Sequence, residues 1–259
     1  PGDTMVMSAP TFDGYPIFAH MARLRPVTVP LDVYGHHDLD AMADAAAHAR
    51  VVVVCRPHNP TGTIESADDI ERFLLRLPSD TVVLLDEAYV EFLAPAHRID
   101  GPTLVDRFGN VVVVRTFSKA YGLAGLRIGY GFCAQDLGRH LWTMQLPFGI
   151  GLTALVAVAA SYDAESQLGQ RIRLICAERR HLQRRLRAMG IYNTDAQANF
   201  VYLPSGATPW RAAFEGLQVR HYTDGGVRVT VGSRQSTRAV LRAVRGDRAE
   251  LRRSRLAMG

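Results

Sequence analysis

Three runs of β-branched residues restrict what this chain can fold into. Val51-Val52-Val53-Val54-Cys55, Thr81-Val82-Val83-Leu84-Leu85 and Val111-Val112-Val113-Val114 are continuous rather than alternating in hydrophobicity. A strand with one face in water alternates apolar and polar side chains, whereas a strand covered on both faces does not. The runs therefore predict strands of a parallel sheet sandwiched by helices. Between the first two, the segment from Ser66 to Leu77 reads as a helix, with Ser66 as N-cap and Asp68 and Asp69 favourable in its first turn. The first half is thus β-α-β with a further crossover, a doubly wound α/β domain.

From Ala154 to about Met189 the pattern becomes helical. Leu174, Ile175, Leu182 and Leu186 recur near helical spacing with arginines between them, and Gly190 is placed to close the helix. Strand-like segments follow at 199–203 and 227–231, with helices around Trp210 to Leu217 and from about Ser236 onward. The expected division is a large domain over 1–153, then a long connecting helix and a smaller α+β domain over 154–259.

The balance of 47% hydrophobic and 21% charged residues excludes a disordered or collagen-like chain. The longest apolar stretch, 148–160, contains Gly149 and Gly151 and falls short of the roughly 18 residues of a membrane span. No signal peptide is legible at Pro1-Gly2-Asp3-Thr4, and Cys55, Cys133 and Cys176 form no metal pair or disulfide framework. A cytoplasmic protein with no membrane partner is expected. The net charge of +5 resides in arginine runs over 171–187 and 238–255 that interleave with leucine and read as solvated helix faces. No nucleic-acid-binding motif accompanies them. His20, His36, His37, His48 and His58 show no ligand spacing, so no metal is expected and these read as surface or satisfied histidines.

Lysine occurs once, at Lys119; every other of the 30 basic residues is arginine. An amine can be tuned to lose its proton and attack a carbonyl, which a guanidinium cannot. Lys119 also falls in one of four segments that end strands, where ligands of open α/β sheets collect. These are Asn59-Pro60-Thr61-Gly62, Asp86-Glu87-Ala88-Tyr89, Thr116-Phe117-Ser118-Lys119, and Arg228-Val229-Thr230-Val231-Gly232 of the second half. Singly, an Asn-Pro-Thr-Gly is a turn and an aspartate at a strand end is a cap.

Together, and above all through the unbroken stretch from Arg115-Thr116-Phe117-Ser118-Lys119 to Gly125-Leu126-Arg127-Ile128-Gly129-Tyr130, the chain resembles the fold-type I, class II pyridoxal-phosphate aminotransferases. Within them it resembles the histidinol-phosphate and actinobacterial aromatic (phenylalanine) branches. The resemblance runs from Pro1 through Phe12 and Tyr15, past Asn199-Phe200, to Gly232. It implies pyridoxal 5'-phosphate as cofactor, amino-acid and 2-oxo-acid substrates, and a homodimer. It assigns Lys119 to condense with the cofactor aldehyde and shuttle the α-proton, Asp86 to the pyridine nitrogen, and Tyr89 and Asn59 to the ring hydroxyl. Phe12 stacks on the ring, and Arg127, helped by Ser118 and Thr116, binds the phosphate. Arg228, with Asn199 and Arg220, receives the substrate.

Two departures stand out. The chain lacks the family's N-terminal segment, with its phosphate loop and a tyrosine that reaches the neighbouring subunit, so weak cofactor binding and weak dimerisation are expected. Arg56-Pro57-His58 replaces the usual Asn-Pro-Asn. The implied activity is amino transfer from an aromatic amino acid to 2-oxoglutarate. Histidinol phosphate as donor, decarboxylation of a phosphorylated amino acid, and a catalytically silent chain are the alternatives.

Overall fold

The computed structural model describes residues 2–257, with side chains as far as residue 246. Its first part alternates strand and helix: β1 (Thr4–Ala9), α1 (Gly14–Met21), β2 (Arg25–Pro30), α2 (Leu39–Ala45), β3 (Ala49–Cys55), α3 (Ala67–Arg76), β4 (Val82–Asp86), α4 (Gly101–Arg107), β5 (Val111–Thr116) and β6 (Gly129–Cys133). The strands form one sheet in the order β2-β1-β3-β4-β5-β6. All neighbours are parallel except β5 and β6. The valine run of β3 accounts for the layering. Val52 and Val54 pack with Ile70, Phe73 and Val83 on one face, while Val53 and Cys55 pack with Met7 and Tyr15 on the other. Both faces are thus buried, as the unbroken run requires.

Ser66 closes α3 in a reciprocal capping box. Its hydroxyl accepts from the Asp69 N–H at 3.1 Å, and the Asp69 carboxylate accepts from the Ser66 N–H at 3.3 Å.

The expected helix over Ala154 to Met189 is two helices, α6 (Leu152–Asp163) and α7 (Glu165–Ala188), after α5 (Gln135–Thr143). The break falls at Ala164, at φ −98° and ψ 22°. Alanine carries no stop signal, which is why the pattern reads straight through it. Gly190 does close α7, with φ of 66°. The first arginine run is not wholly solvated either. Arg179 is buried and donates to the carbonyl of Ala198 at 2.7 Å and to Gln197 Oε1 at 3.1 Å, satisfying acceptors of the chain that enters the second sheet. Of the second run, the side chains from Arg248 to Arg255 lie outside the described residues.

That second sheet is antiparallel, β7 (Phe200–Leu203), β9 (Val227–Thr230) and β8 (Arg220–His221) in spatial order. It packs on α7, α8 (Trp210–Ala213) and α9 (Arg234–Ala257) through Leu182, Leu186, Val201, Phe214 and Val240. From the end of α5 to the start of α6, apolar side chains face solvent, among them Trp142, Met144, Leu146, Phe148 and Leu152. No helix among the described residues is long and apolar enough to cross a membrane.

The two sheets meet at the turn after β3. Gly62 has φ of +74°, and a Cβ there would lie 2.5 Å from that of Ala196. Its carbonyl accepts from the Gln197 N–H at 2.6 Å, and Thr194 Oγ1 donates to the carbonyl of Thr61 at 2.6 Å. Gly62→Ala combines backbone strain with a clash, so it is expected to destabilise by about 1–3 kcal/mol. A lowered denaturation midpoint with unchanged slope checks this; an unchanged midpoint would show that the turn relaxes freely.

Candidate active site

The sheet's strand order reverses at β1, whose neighbours are β2 on one side and β3 on the other. The carboxyl ends of β1, β3, β4 and β5 therefore open on a common edge, where a doubly wound sheet binds ligands. Each strand delivers part of the site. Phe12 and Asp13 follow β1, Asn59 follows β3, Asp86 ends β4, and Thr116, Ser118 and Lys119 end or follow β5. Cys55 and Asp86 are register partners, so the ends of β3 and β4 are level. The ends of β4 and β5 are tied by Arg115, which donates from Nε (2.8 Å) and Nη2 (2.7 Å) to the fully buried Glu87.

Asp86 accepts from the Tyr15 hydroxyl at 2.5 Å through one oxygen and from the Ala88 N–H at 2.9 Å through the other. Burial holds its carboxyl above the ordinary carboxylate range, although these two donors and the charge of Lys119 pull the other way. Lys119 is half-buried, and its Nζ lies 5.6 Å from the ring centroid of the buried Tyr89. Burial above all, then the positive charge of Arg228 and, less, of Arg127 and Arg220, lowers the amine below the usual lysine value; Asp86 opposes this. The amine thereby gives up its proton more readily than an ordinary lysine.

Asn59 is buried, and its Oδ1 accepts from Arg228 Nη1 at 2.6 Å and from the Tyr222 hydroxyl at 3.3 Å. Arg228 also lies 4.9 Å from the Phe200 ring centroid, and its Nε is buried without a partner. Arg127 adopts a left-handed backbone at φ 53°, is exposed, and turns Nη1 back onto the Ala124 carbonyl at 2.8 Å. Thr116 Oγ1 accepts from the Ser118 N–H at 3.0 Å. Phe12 packs against Gly14, where a Cβ would lie 2.3 Å from its ring, and stands edge-on to Tyr15 at 5.4 Å. Asn199 contributes its carbonyl to the Val231 N–H at 2.8 Å. Arg220 forms an ion pair with Asp13.

Nothing in the sequence marks Tyr15 as the donor to Asp86, or Tyr222 as a partner of Asn59. Both contacts join residues far apart in the chain, at separations of 71 and 163. His58 hydrogen-bonds none of these side chains. It is fully buried, shares a hydrogen bond of 2.9 Å with Thr61 Oγ1, and meets the His37 ring at 4.5 Å. Burial, helped by His37 and His36, keeps it well below the usual histidine value. His37 is also buried, between Ser8 Oγ and the Cys55 carbonyl. A larger cleft of about 1270 Å³, between α7 and the segment from Glu91 to Arg98, contains none of the strand-end residues.

The donor set fits pyridoxal 5'-phosphate. Asp86, disfavoured as an anion by burial, is matched by a ring N–H cation. The unpaired Nε of Arg228 is matched by a carboxylate, and the exposed guanidinium of Arg127 by a phosphate. Among the described residues no cluster of His, Cys, Asp and Glu is arranged to hold a metal ion.

Residues 1–252 match the family described as aminotransferase class I and II, and the chain belongs to that family. It is 42% identical over 256 residues to an aromatic amino acid aminotransferase of Streptomyces coelicolor, covering 97% of this chain and 71% of that protein. It is 39% identical over 254 residues to a protein of the same name from Cutibacterium acnes, covering 95% and 72%. In structure it is similar to a histidinol-phosphate aminotransferase from Sinorhizobium meliloti in complex with pyridoxal-5'-phosphate. That likeness has a TM-score of 0.87 at 25% identity and covers 96% of this chain and 71% of that one.

Glu91 follows the site strand in the turn Val90–Phe92, with Oε2 buried and unpaired. Burial pushes its carboxyl from 4.5 up to about 7. The folded form therefore holds a proton that the unfolded form has released, so stability falls as pH rises from about 4.5 through about 7. Glu91→Gln is expected to flatten this decline in denaturant titrations across that window; an unaltered pH profile would contradict the assignment.

Proposed function

We propose that this chain uses pyridoxal 5'-phosphate to move an amino group between an aromatic amino acid and 2-oxoglutarate. The observation that carries the reaction class is the sole lysine at the carboxyl edge of the sheet, with its charge disfavoured by burial and surrounding arginines, near a part-buried aspartate. When bound, the cofactor supplies an electron sink through its protonated ring nitrogen. Asp86 holds that proton, and Tyr15 and the Ala88 N–H hold Asp86. Lys119 would hold the cofactor through its aldehyde, a role eased by its lowered proton affinity, and would carry the substrate α-proton. Tyr89 and Asn59 serve the ring hydroxyl, Phe12 covers a ring face, and Arg127 takes the phosphate with Ser118 and Thr116. Arg228 grips the substrate carboxylate, with Asn199 and Arg220 on the substrate side.

The aromatic donor is supported by the names of the relatives at about 40% identity. Histidinol phosphate is the second reading. It is supported by the structural neighbours and by Arg220, which stands opposite Arg228 in register as a second cation for a distal phosphate. The exposed apolar side chains between α5 and α6 support a homodimer, because a patch of that kind usually meets a partner. The three free cysteines are in keeping with a cytoplasmic setting.

The reading is tested by a half-reaction, in which the spectrum of bound cofactor is followed on adding phenylalanine, histidinol phosphate or glutamate. Loss of the bound-cofactor band with phenylalanine and recovery with 2-oxoglutarate is expected; no response to any of the three would overturn it. Lys119→Arg is expected to abolish turnover without unfolding the protein, and borohydride reduction to fix cofactor at Lys119 alone, read by mass spectrometry. Asp86→Ala is expected to slow the half-reaction by about 10²-fold or more, from loss of a charge that stabilises the transition state. A rate within tenfold of the parent would remove Asp86 from the chemistry.

A further inference from the structure

We infer that Asp13 selects the substrate side chain of this site by holding Arg220 and withdrawing that guanidinium from a distal phosphate, a proposal that rests on the aminotransferase reading. Arg220 and Arg228 are register partners on β8 and β9. Residues directly opposite on antiparallel strands project from the same face, so the two guanidinium groups leave the small sheet side by side. Arg228 is engaged by Asn59, and Arg220 by Asp13 from across the site. Asp13, Arg220, Arg228 and Thr230 line a cavity of about 530 Å³ together with Gln218, Val219 and His221.

The carboxylate of Asp13 has no duty to its own helix. Asp13 stands at the N-cap of α1 but makes no side-chain capping bond. Its partner is Arg220, 207 residues away in the chain. Both side chains are substantially exposed, at 59% and 42%, so the pair adds little to stability. Its consequence is the charge at the mouth of the site. Arg220 and Arg228 alone present two positive charges. An α-carboxylate neutralises one, and the other would draw a second anion. With Asp13 in place a single charge remains, and the α-carboxylate consumes it.

The surroundings then suit a neutral side chain. Tyr222 lies under Arg220 at 5.8 Å, and Phe12 immediately precedes Asp13. A phosphate monoester carries nearly two negative charges. To reach Arg220 it must displace Asp13 or lie beside it, and a like-charge juxtaposition opposes both. The distal carboxylate of 2-oxoglutarate carries one negative charge, so the same opposition acts on it about half as strongly. Asp13 thus disfavours phosphorylated donors while leaving aromatic and dicarboxylic substrates admissible.

The test compares the holoenzyme with its Asp13→Asn and Asp13→Asn/Arg220→Gln variants. The ratio of kcat/KM for histidinol phosphate to that for phenylalanine is expected to rise about tenfold or more in Asp13→Asn, mainly through KM. Adding Arg220→Gln is expected to cancel the rise. A ratio unchanged in Asp13→Asn, or a parent enzyme that already prefers histidinol phosphate, would overturn the proposal. A parent enzyme inert with both donors would count against the aminotransferase reading instead. Calorimetric titration with inorganic phosphate decides the role of Asp13 independently of turnover: tighter binding to Asp13→Asn than to the parent is expected, and equal affinity would contradict it.

Discussion

A lysine amine and an aspartate carboxylate held near one another in a poorly hydrated place define this protein, and the sheet is what creates that place. Asp86 ends and Lys119 follows strands whose side chains are buried on both faces, so both groups are partly desolvated. Because β1, β3, β4 and β5 run parallel, their carboxyl ends converge on one edge, and polar residues from distant parts of the chain meet there. Burial disfavours both charges, raising the carboxyl and lowering the amine. The same desolvation thus eases loss of the lysine proton and leaves a carboxylate that gains from a nearby cation.

The second sheet completes the arrangement at Asn59. Asn59, on the turn after β3, accepts from Arg228 and Tyr222 of the small sheet, while the backbone of that turn is bonded to residues 194–197. Gly62 allows this close approach. The turn therefore sets the distance between the arginine that suits a carboxylate and the edge that suits the cofactor.

Much of this was legible in the sequence, for identifiable reasons. Unbroken valine runs follow from burial on both faces, and the Ser66 cap follows from hydrogen-bonding chemistry within one helical turn. The candidate residues at strand ends could be read because strand, turn and functional residue lie within a few positions of one another. What stayed hidden was non-local. The Tyr15–Asp86, Tyr222–Asn59 and Asp13–Arg220 contacts depend on how distant segments pack. Arg179 was read as surface because its helical period says nothing of the carbonyls awaiting it. The break at Ala164 has no side-chain signature at all.

The central claim is that this site lowers the proton affinity of its lysine. Because Lys119 is the sole lysine, it can be followed without interference from any other. The most direct measurement is the pH dependence of its acylation by a small amine-reactive reagent in the cofactor-free protein, with Lys119 separated from the N-terminal amine by mass spectrometry. A midpoint below the ordinary lysine value of 10.5 is expected, moving upward in Arg228→Gln, which removes a neighbouring positive charge. A midpoint at the ordinary value, unmoved by that substitution, would contradict it.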